Sequence, residues 1–300
     1  MSPDRSWYLP LNHTGHDKNL PPLDSSEMSG IANLFRDRSI RKIGHETKRD
    51  WHALKSADIE IDEVSYDLLI ASFLAEPGRR SYDVNVLALE CLGKEINSRE
   101  SVVGKGKGEV AFVDVPVSTA AAYSCARTEM VLVLKEYFAE RLMDFSLQSL
   151  FNDVEMPLTK VLVEMEAAGI GINLDALAEL STSFSAELEK LEKEIYEEAG
   201  TEFNINSTPQ LRHILFEKLQ LPVLKKTKTG PSTDASVLTQ LADTGFSLPI
   251  ILLEYRELTK LRSTYVDALP GAVDTATGRI HTTFNQIGAA TGRLSSHDPN

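Results

Sequence analysis

One stretch of this sequence dictates its own architecture. Leu174, Leu177, Leu180, Phe184, Leu188, Leu191 and Ile195 recur at spacings of three and four, the period that lines up one face of an α-helix. Asn173 can cap its start and Gly200 can end it. The spacing predicts a rod of about 25 residues, roughly 37 Å long. A second helix is expected from Thr208, with Pro209 in its first turn, and a third after Thr233. A fourth, over 249–269 and closed by Pro270, is long enough to lie antiparallel to the rod, with the two short helices as a tip.

Upstream the rhythm differs. Residues up to about 30 are rich in Pro, Asn, Asp and His, with Trp7, Tyr8 and Leu9 as a lone strand-like patch, and read as an edge segment or loop. Over 31–93 short elements alternate: a helix at 31–38, a strand at 41–43, a helix after Asp50, and an apolar run at 68–74 opened by Asp67. That alternation suits an α/β layer domain. GKGKG at 104–108 is a flexible basic turn, and the pattern is continuously helical from 118 to about 150. A new unit is expected from Phe151, with 156–168 amphipathic and AGIGI at 168–172 stopping that helix. After Pro270 the period turns from helix to strand: Thr277 and Gly278 set a turn, 279–286 alternates as one strand, and SSHDPN at 295–300 is turn-like. A two-strand hairpin is marginal alone, so the sequence looks cut rather than finished.

A chain of 300 residues with 42% hydrophobic and 25% charged side chains has room for two cores and is neither disordered nor fibrous. It lacks the run of about eighteen apolar residues that a membrane span needs, and its first thirty or so residues lack a secretory layout. A cytoplasmic protein with no membrane partner is therefore expected. Cys91 and Cys125 form no CxxC, which leaves no basis for a disulfide framework or a structural zinc site. His13 and His16 lie in a Pro-rich loop and are expected to be solvated.

The net charge of -13 is unevenly laid out. The first 200 residues hold 21 Lys/Arg against 35 Asp/Glu, and the last hundred hold ten against nine. Any contact with a polyanion belongs in the last third, because such binding depends on local basic stripes. Lys225, Lys226 and Lys228 lie in a loop of Gly, Pro, Ser and Thr at the tip of the helical hairpin, as a solvated loop or as phosphate contacts at the end of a lever. Arg256, Lys260 and Ser263 share a face of the fourth helix, with Arg262 beside it, as a solvated face or as a stripe tracking one strand of a duplex.

Several longer strings occur together: EFNINSTPQL (202–211), LFEKL (215–219), LKKTKTGPST (224–233), EYRELTKLRSTY (254–265), TGRIHTTFNQ (277–286) and ATGRLSSHDPN (290–300). In this order and spacing they resemble family A DNA polymerases, the group of bacterial DNA polymerase I. The resemblance reaches back weakly to about Trp7. It implies an α/β, exonuclease-like (ribonuclease H-like) domain over 1–150, incomplete at its N-terminus, then a mostly α-helical thumb over 151–270, then the first β-hairpin of an incomplete palm over 271–300. The helices would grip primer-template duplex DNA along its minor groove, which favours the DNA-contacting reading of the lysine loop and of the basic stripe. Arg293 would enter the minor groove near the primer end, where purine N3 and pyrimidine O2 are present on every correct pair. Asn285, Ser295 and Asn300 match neighbouring polar positions; without the resemblance, Arg293 reads as a hairpin arginine satisfied by a carboxylate or carbonyl.

The same resemblance implies gaps. The family transfers a nucleotidyl group with two metal ions, Mg2+ in the full-length enzyme, held by palm aspartates that lie downstream of Asn300. The 300 residues alone are expected to hold no metal, to use no deoxynucleotide and to be inactive as a polymerase. In the first domain IGHETKRD (43–50) occupies the place of a motif ending in a metal-binding acid, here Asp50, and SYDLLIASFL (65–74) matches the segment after it. The family's Tyr-x-x-x-Asp becomes YSCAR, from Tyr123 to Arg127. A guanidinium in a metal ligand's place repels divalent cations, and Glu129 lies too far along to substitute. Asp50 is either a vestigial metal position or an ordinary helix-start acid. The implied function of the whole gene product is templated DNA synthesis in replication and repair, by a monomer in the bacterial cytoplasm at the nucleoid. A non-catalytic duplex-binding module and a residual 3'-5' exonuclease are the alternatives.

Overall fold

The computed structural model describes residues 5–14, 19–62, 64–228 and 230–299. The chain divides into two units, Met1–Gly169 with Thr282–Asp298 and Ile170–His281.

In the first unit α1 (Ser29–Arg36) leads to β1 (Lys42–Gly44), α2 (Thr47–Ser56) and β2 (Val64–Asp67), and the two strands pair in parallel with α2 as the crossover. Asp67 makes the corner. It is 1% exposed, its carboxylate accepts from Leu69 N to cap α3 (Leu68–Ala75), and it also accepts from Thr47 N and Thr47 Oγ1, both at 2.7 Å. The expected helix after Asp50 thus begins earlier, at Thr47, and Asp50 stands in its first turn. The α/β alternation amounts here to this single βαβ crossover among the described residues. Beyond α3 the chain continues in helices: α4 (Val84–Leu92), α5 (Arg99–Val103) and α6 (Val117–Asp144).

Val131, Leu134, Phe138 and Leu142 of α6 close the core with Leu68, Ile70 and Ala71 of α3 and Val84, Leu87 and Ala88 of α4. Ser146, at φ 57, interrupts the helix expected to run to residue 150. It resumes through a π-helical turn at Leu150–Glu155 into α7 (Met156–Ala168). Phe151 and Met156 both belong to the first core, so the chain passes to the second unit after Gly169 rather than at residue 150. His13 is 4% exposed rather than solvated: its Nδ1 lies 3.0 Å from the Val115 carbonyl and its Nε2 faces the Tyr8 hydroxyl, so both ring nitrogens are satisfied inside the protein. His16 lies outside the described residues.

The second unit opens with the predicted rod, α8 (Leu174–Ala199), whose Asn173 cap accepts from Ala176 N at 3.0 Å and which ends at Gly200 with φ 63. Next come α9 (Thr208–Arg212), a π-helical turn over His213–Lys218, and the small hairpin β3 (Lys226–Thr227) with β4 (Gly230–Pro231). Helices α10 (Ala235–Asp243) and α11 (Ser247–Leu261) complete the core, where Ile195, Leu211, Leu215, Leu238, Leu241 and Leu252 are buried together. α11 runs antiparallel to α8. Ser181 Oγ donates to Asp267 at 2.7 Å beyond one end, and Ser247 Oγ donates to Glu198 at the other.

The fourth helix is shorter than its apolar pattern implies: it widens into a π-helical turn at Arg262–Val266, and Pro270 belongs to a separate 3-10 turn, Leu269–Ala272. A hairpin of β5 (Val273–Asp274) and β6 (Arg279–Ile280) turns at Gly278, φ 68, and Ile280 exchanges backbone hydrogen bonds with Ile170.

The single strand expected over 279–286 is broken at His281 and Thr282, and β7 (Thr283–Asn285) belongs to the first unit. The segment expected to be turn-like contributes β8 (Ser295–His297), antiparallel to β7. Alternation alone does not register such a break, because each half satisfies the period with a different partner.

Candidate nucleic-acid interface

At the tip of the second unit Lys226 and Lys228 are exposed on and beside β3. Lys225 is not a free cation: its Nζ lies 2.7 Å from Asp234 Oδ2. Lys225, the Ser236 hydroxyl, Val237 N–H and the Ser232 hydroxyl hold the Asp234 carboxyl well below the usual carboxylate range. On α11 the expected stripe is divided. Arg256 turns inward and donates from Nη1 to the Thr233 carbonyl, and its partial desolvation lowers its pKa. Arg262 is 3.1 Å from Asp267 Oδ2, whereas Lys260 and Ser263 remain exposed. Arg256 therefore fastens the tip loop to α11, a role its helical spacing does not reveal.

The β7–β8 hairpin brings two expected residues together. Asn285 and Ser295 are cross-strand partners, and a Cβ built on Gly288 would fall 2.5 Å from Ser295 Oγ and 3.2 Å from Asn285 Nδ2, so both side chains converge over that glycine. Asn285 Oδ1 accepts from Ile287 N at 3.0 Å. Arg293 is exposed two residues before β8. Asn300 lies outside the described residues.

Beneath the hairpin sits a group that no sequence motif marks. Glu166 is 6% exposed, and its Oε1 takes the Lys48 ammonium and the Phe284 N–H at 2.7 Å, while its Oε2 takes His52 Nε2 at 2.6 Å. Lys48 also donates to the Phe284 carbonyl. Glu166 shares the buried stripe of α7 with Met156, Thr159, Leu162 and Val163. An acid on a helical stripe whose other members are three apolar residues and one threonine is the signal that could have found it.

The exonuclease-like positions also meet. Asp50 reaches solvent, but surrounding protein partly desolvates its carboxyl and pushes it up to about 6, opposed by Arg49 and Arg127 and reinforced by Asp67 and Glu46. Arg127 Nη2 donates to His45 Nδ1 at 3.0 Å, and His45 Nε2 donates to the Tyr82 carbonyl at 2.8 Å. His45 is thus the neutral Nε2–H tautomer, in line with a pKa lowered by burial. The Tyr123 ring packs against Phe112 with centroids 6.0 Å apart and planes tilted by 58°, and Glu129 accepts from Ser6 Oγ at 2.8 Å. A divalent cation needs several carboxylate oxygens around it. Asp67 is engaged by four donors, the Glu46, Thr47 and Leu69 N–H groups and the Thr47 hydroxyl, and Arg49 and Arg127 place two cations near Asp50, so this donor set does not suit a metal ion. Among the described residues no group of three or more His, Cys, Asp or Glu could hold one, and no helix is long and apolar enough to cross a membrane.

Two family descriptions match the chain. Residues 174–300 match DNA polymerase family A, and residues 19–128 match the ribonuclease H-like domain of DNA polymerase I. The chain belongs to the family A DNA polymerases. It is 36% identical over 299 residues to DNA polymerase I of Pseudomonas aeruginosa, covering 98% of this chain and 32% of that protein. It is 41% identical over 264 residues to DNA polymerase I of Bacillus caldotenax, covering 88% and 30%. A solved structure described as the POL domain of Pol1 from M. smegmatis in complex with DNA primer-template and dNTP superposes with a TM-score of 0.78 at 34% identity, over 92% of this chain and 45% of that one. The chain spans about a third of the length of the curated relatives it matches, 32% in the first case. Family A polymerases are metal-dependent, and the first unit carries the family's ribonuclease H-like domain.

Proposed function

We propose that this chain serves templated DNA synthesis as the part of a DNA-directed DNA polymerase that holds primer-template duplex. The observation that carries this reading is the superposition on a polymerase domain bound to primer-template and dNTP, at a TM-score of 0.78 and 34% identity. In this reading residues 151–270, with the helices of the second unit, are the thumb and β5–β8, within 271–300, begin the palm. Lys226, Lys228 and Lys260 contact phosphates, with Lys225 joining when it leaves Asp234. Each such contact releases counterions and reads the backbone without regard to sequence. Arg256 and Arg262 support that surface through Thr233 and Asp267. Ser263, also exposed, adds a hydroxyl donor to the same face. Arg293, with Asn285, Ser295 and Asn300, takes minor-groove acceptors near the primer end, where geometry is checked without choosing sequence.

The nucleotidyl-transfer metals, Mg2+ in this reading, act when held by carboxylates other than Asp50 and Asp67. The Asp50–Tyr123–Arg127 positions are vestigial, because Arg127 bonded to neutral His45 replaces a ligand by a cation. The protein works as a monomer on nucleoid DNA in a bacterial cytoplasm. Fluorescence anisotropy with a labelled primer-template tests the reading. Affinity should be independent of sequence and fall steeply with salt; no binding, or binding indifferent to salt, overturns it. A 3'-labelled strand incubated with divalent metal should remain uncut, and metal-dependent shortening that Asp50→Ala abolishes would restore the exonuclease alternative.

A further inference from the structure

We propose that Glu166 is a positioning residue for the β7–β8 hairpin, so that the first unit, with no metal-binding acid set among its described residues, acts as the mount for the minor-groove contacts. The inference rests on the DNA-binding reading above. β7 is fastened at two points. Phe284 is held through its backbone, with its N–H on Glu166 Oε1 at 2.7 Å and its carbonyl on Lys48. Gln286 is held through its side chain, with Nε2 donating to the Glu155 carbonyl at 3.1 Å and to Glu155 Oε2 at 3.0 Å, while its Oε1 accepts from Thr159 at 3.1 Å. Glu155 and Thr159 stand at the start of α7 and Glu166 near its end. The helix therefore grips the residues on either side of Asn285.

Asn285 is then fixed along the strand, and its pairing with Ser295 fixes that residue in turn. The grip is a buried ion pair at one point and, at the other, a side-chain amide held by a carbonyl, a hydroxyl and the Glu155 carboxylate. Lys48 and His52, four residues apart on α2, both face the Glu166 carboxylate, so α2, α7 and β7 meet at one buried acid. A carboxylate at this depth is tolerated because it is paired and hydrogen-bonded, and removing one partner leaves the other uncompensated.

Hydrogen exchange of the Phe284 amide, read in the 300-residue chain without DNA, separates this role from general stability. Lys48→Met and Glu166→Gln should each speed that exchange by roughly ten- to a hundredfold, the range of a lost charge-assisted hydrogen bond. Amides of α6 should be unchanged, and Lys48→Arg should restore protection. The same two variants should weaken primer-template binding in parallel, while Lys226→Ala should weaken binding with no change at Phe284. The proposal is overturned if Phe284 exchange stays at the wild-type rate, if it rises in step with the α6 amides, or if a loosened hairpin binds duplex as tightly as the wild type. A wild-type chain that fails to bind duplex overturns the DNA-binding reading instead, with the exchange result still reporting whether Glu166 fastens the hairpin.

Discussion

The acid cluster of the first unit and the lysine tip of the second are both built from charged side chains, and they differ in what those charges face. Asp67 is closed in by backbone donors and Arg127 points at His45. Lys226 and Lys228 face solvent. Charges that satisfy one another can hold a shape but have nothing left for a ligand. Charges left to solvent contribute little to stability and remain available to phosphates.

The severest challenge to this contrast is Arg127→Asp, which returns an acid to the place where the family pattern has one. It should leave His45 Nδ1 without its donor and add a like charge beside Asp50. The expected cost is about 1–3 kcal/mol in urea unfolding, with no gain of metal-dependent cleavage. Cleavage in that variant would mean the cluster is merely quenched.

Next in size is the double substitution Lys226→Ala with Lys228→Ala. The slope of log affinity against log salt should become shallower by about two, with the unfolding midpoint unchanged. An unchanged slope would place the phosphate contacts elsewhere.

Asp50→Asn sharpens the contrast from the other side. In the folded chain Asp50 titrates near about 6 rather than 3.8, so between those values the native state holds a proton that the unfolded chain has lost. That stabilising contribution is complete below the lower value and gone above the upper one. The melting temperature of Asp50→Asn relative to wild type should therefore rise from pH 4 to pH 6 and then level off, checked by thermal melts across that range.

The smallest effect is local to the rod. Asn173→Ala removes the Ala176 N–H acceptor and should cost about 1 kcal/mol in thermal unfolding, with the DNA salt slope untouched.

Much of the second unit was legible in the sequence because its determinants are local. The apolar spacing, the Asn173 cap, the Gly200 stop and Pro209 each act within a turn of helix, and α8, α9 and α10 result from them. The antiparallel pairing of α8 with α11 was legible too, since two long amphipathic helices joined by a short tip have few other ways to bury their stripes. What escaped depends on partners distant in sequence. Lys225 meets Asp234, Arg256 meets the Thr233 carbonyl, and Glu166 meets Lys48 and Phe284 across 118 positions each. His13 is buried because Val115 supplies a carbonyl 102 positions away. The division after Gly169 was missed because Phe151 and Met156 pack into the first core through partners distant in sequence, which the helix stop at 168–172 does not reveal. The resemblance to family A polymerases supplied the candidate DNA contacts, and the structure adds which of those side chains are already engaged.

The π-helical turn at Leu150–Glu155 makes the length of this chain as consequential as its composition. Such a turn is what one surplus residue does to an α-helix. A deletion of a single codon within it would let the helix relax to ordinary winding with the residues after it still in phase, whereas a deletion between this turn and Glu166 would turn everything after it by about 100°. Glu166 would then rotate away from Phe284 although no residue of the clamp had been altered. Length changes within α7 are thus a class of variation to which the hairpin is sensitive, while the turn ahead of it absorbs one residue, and a residue-by-residue comparison of side chains would overlook both.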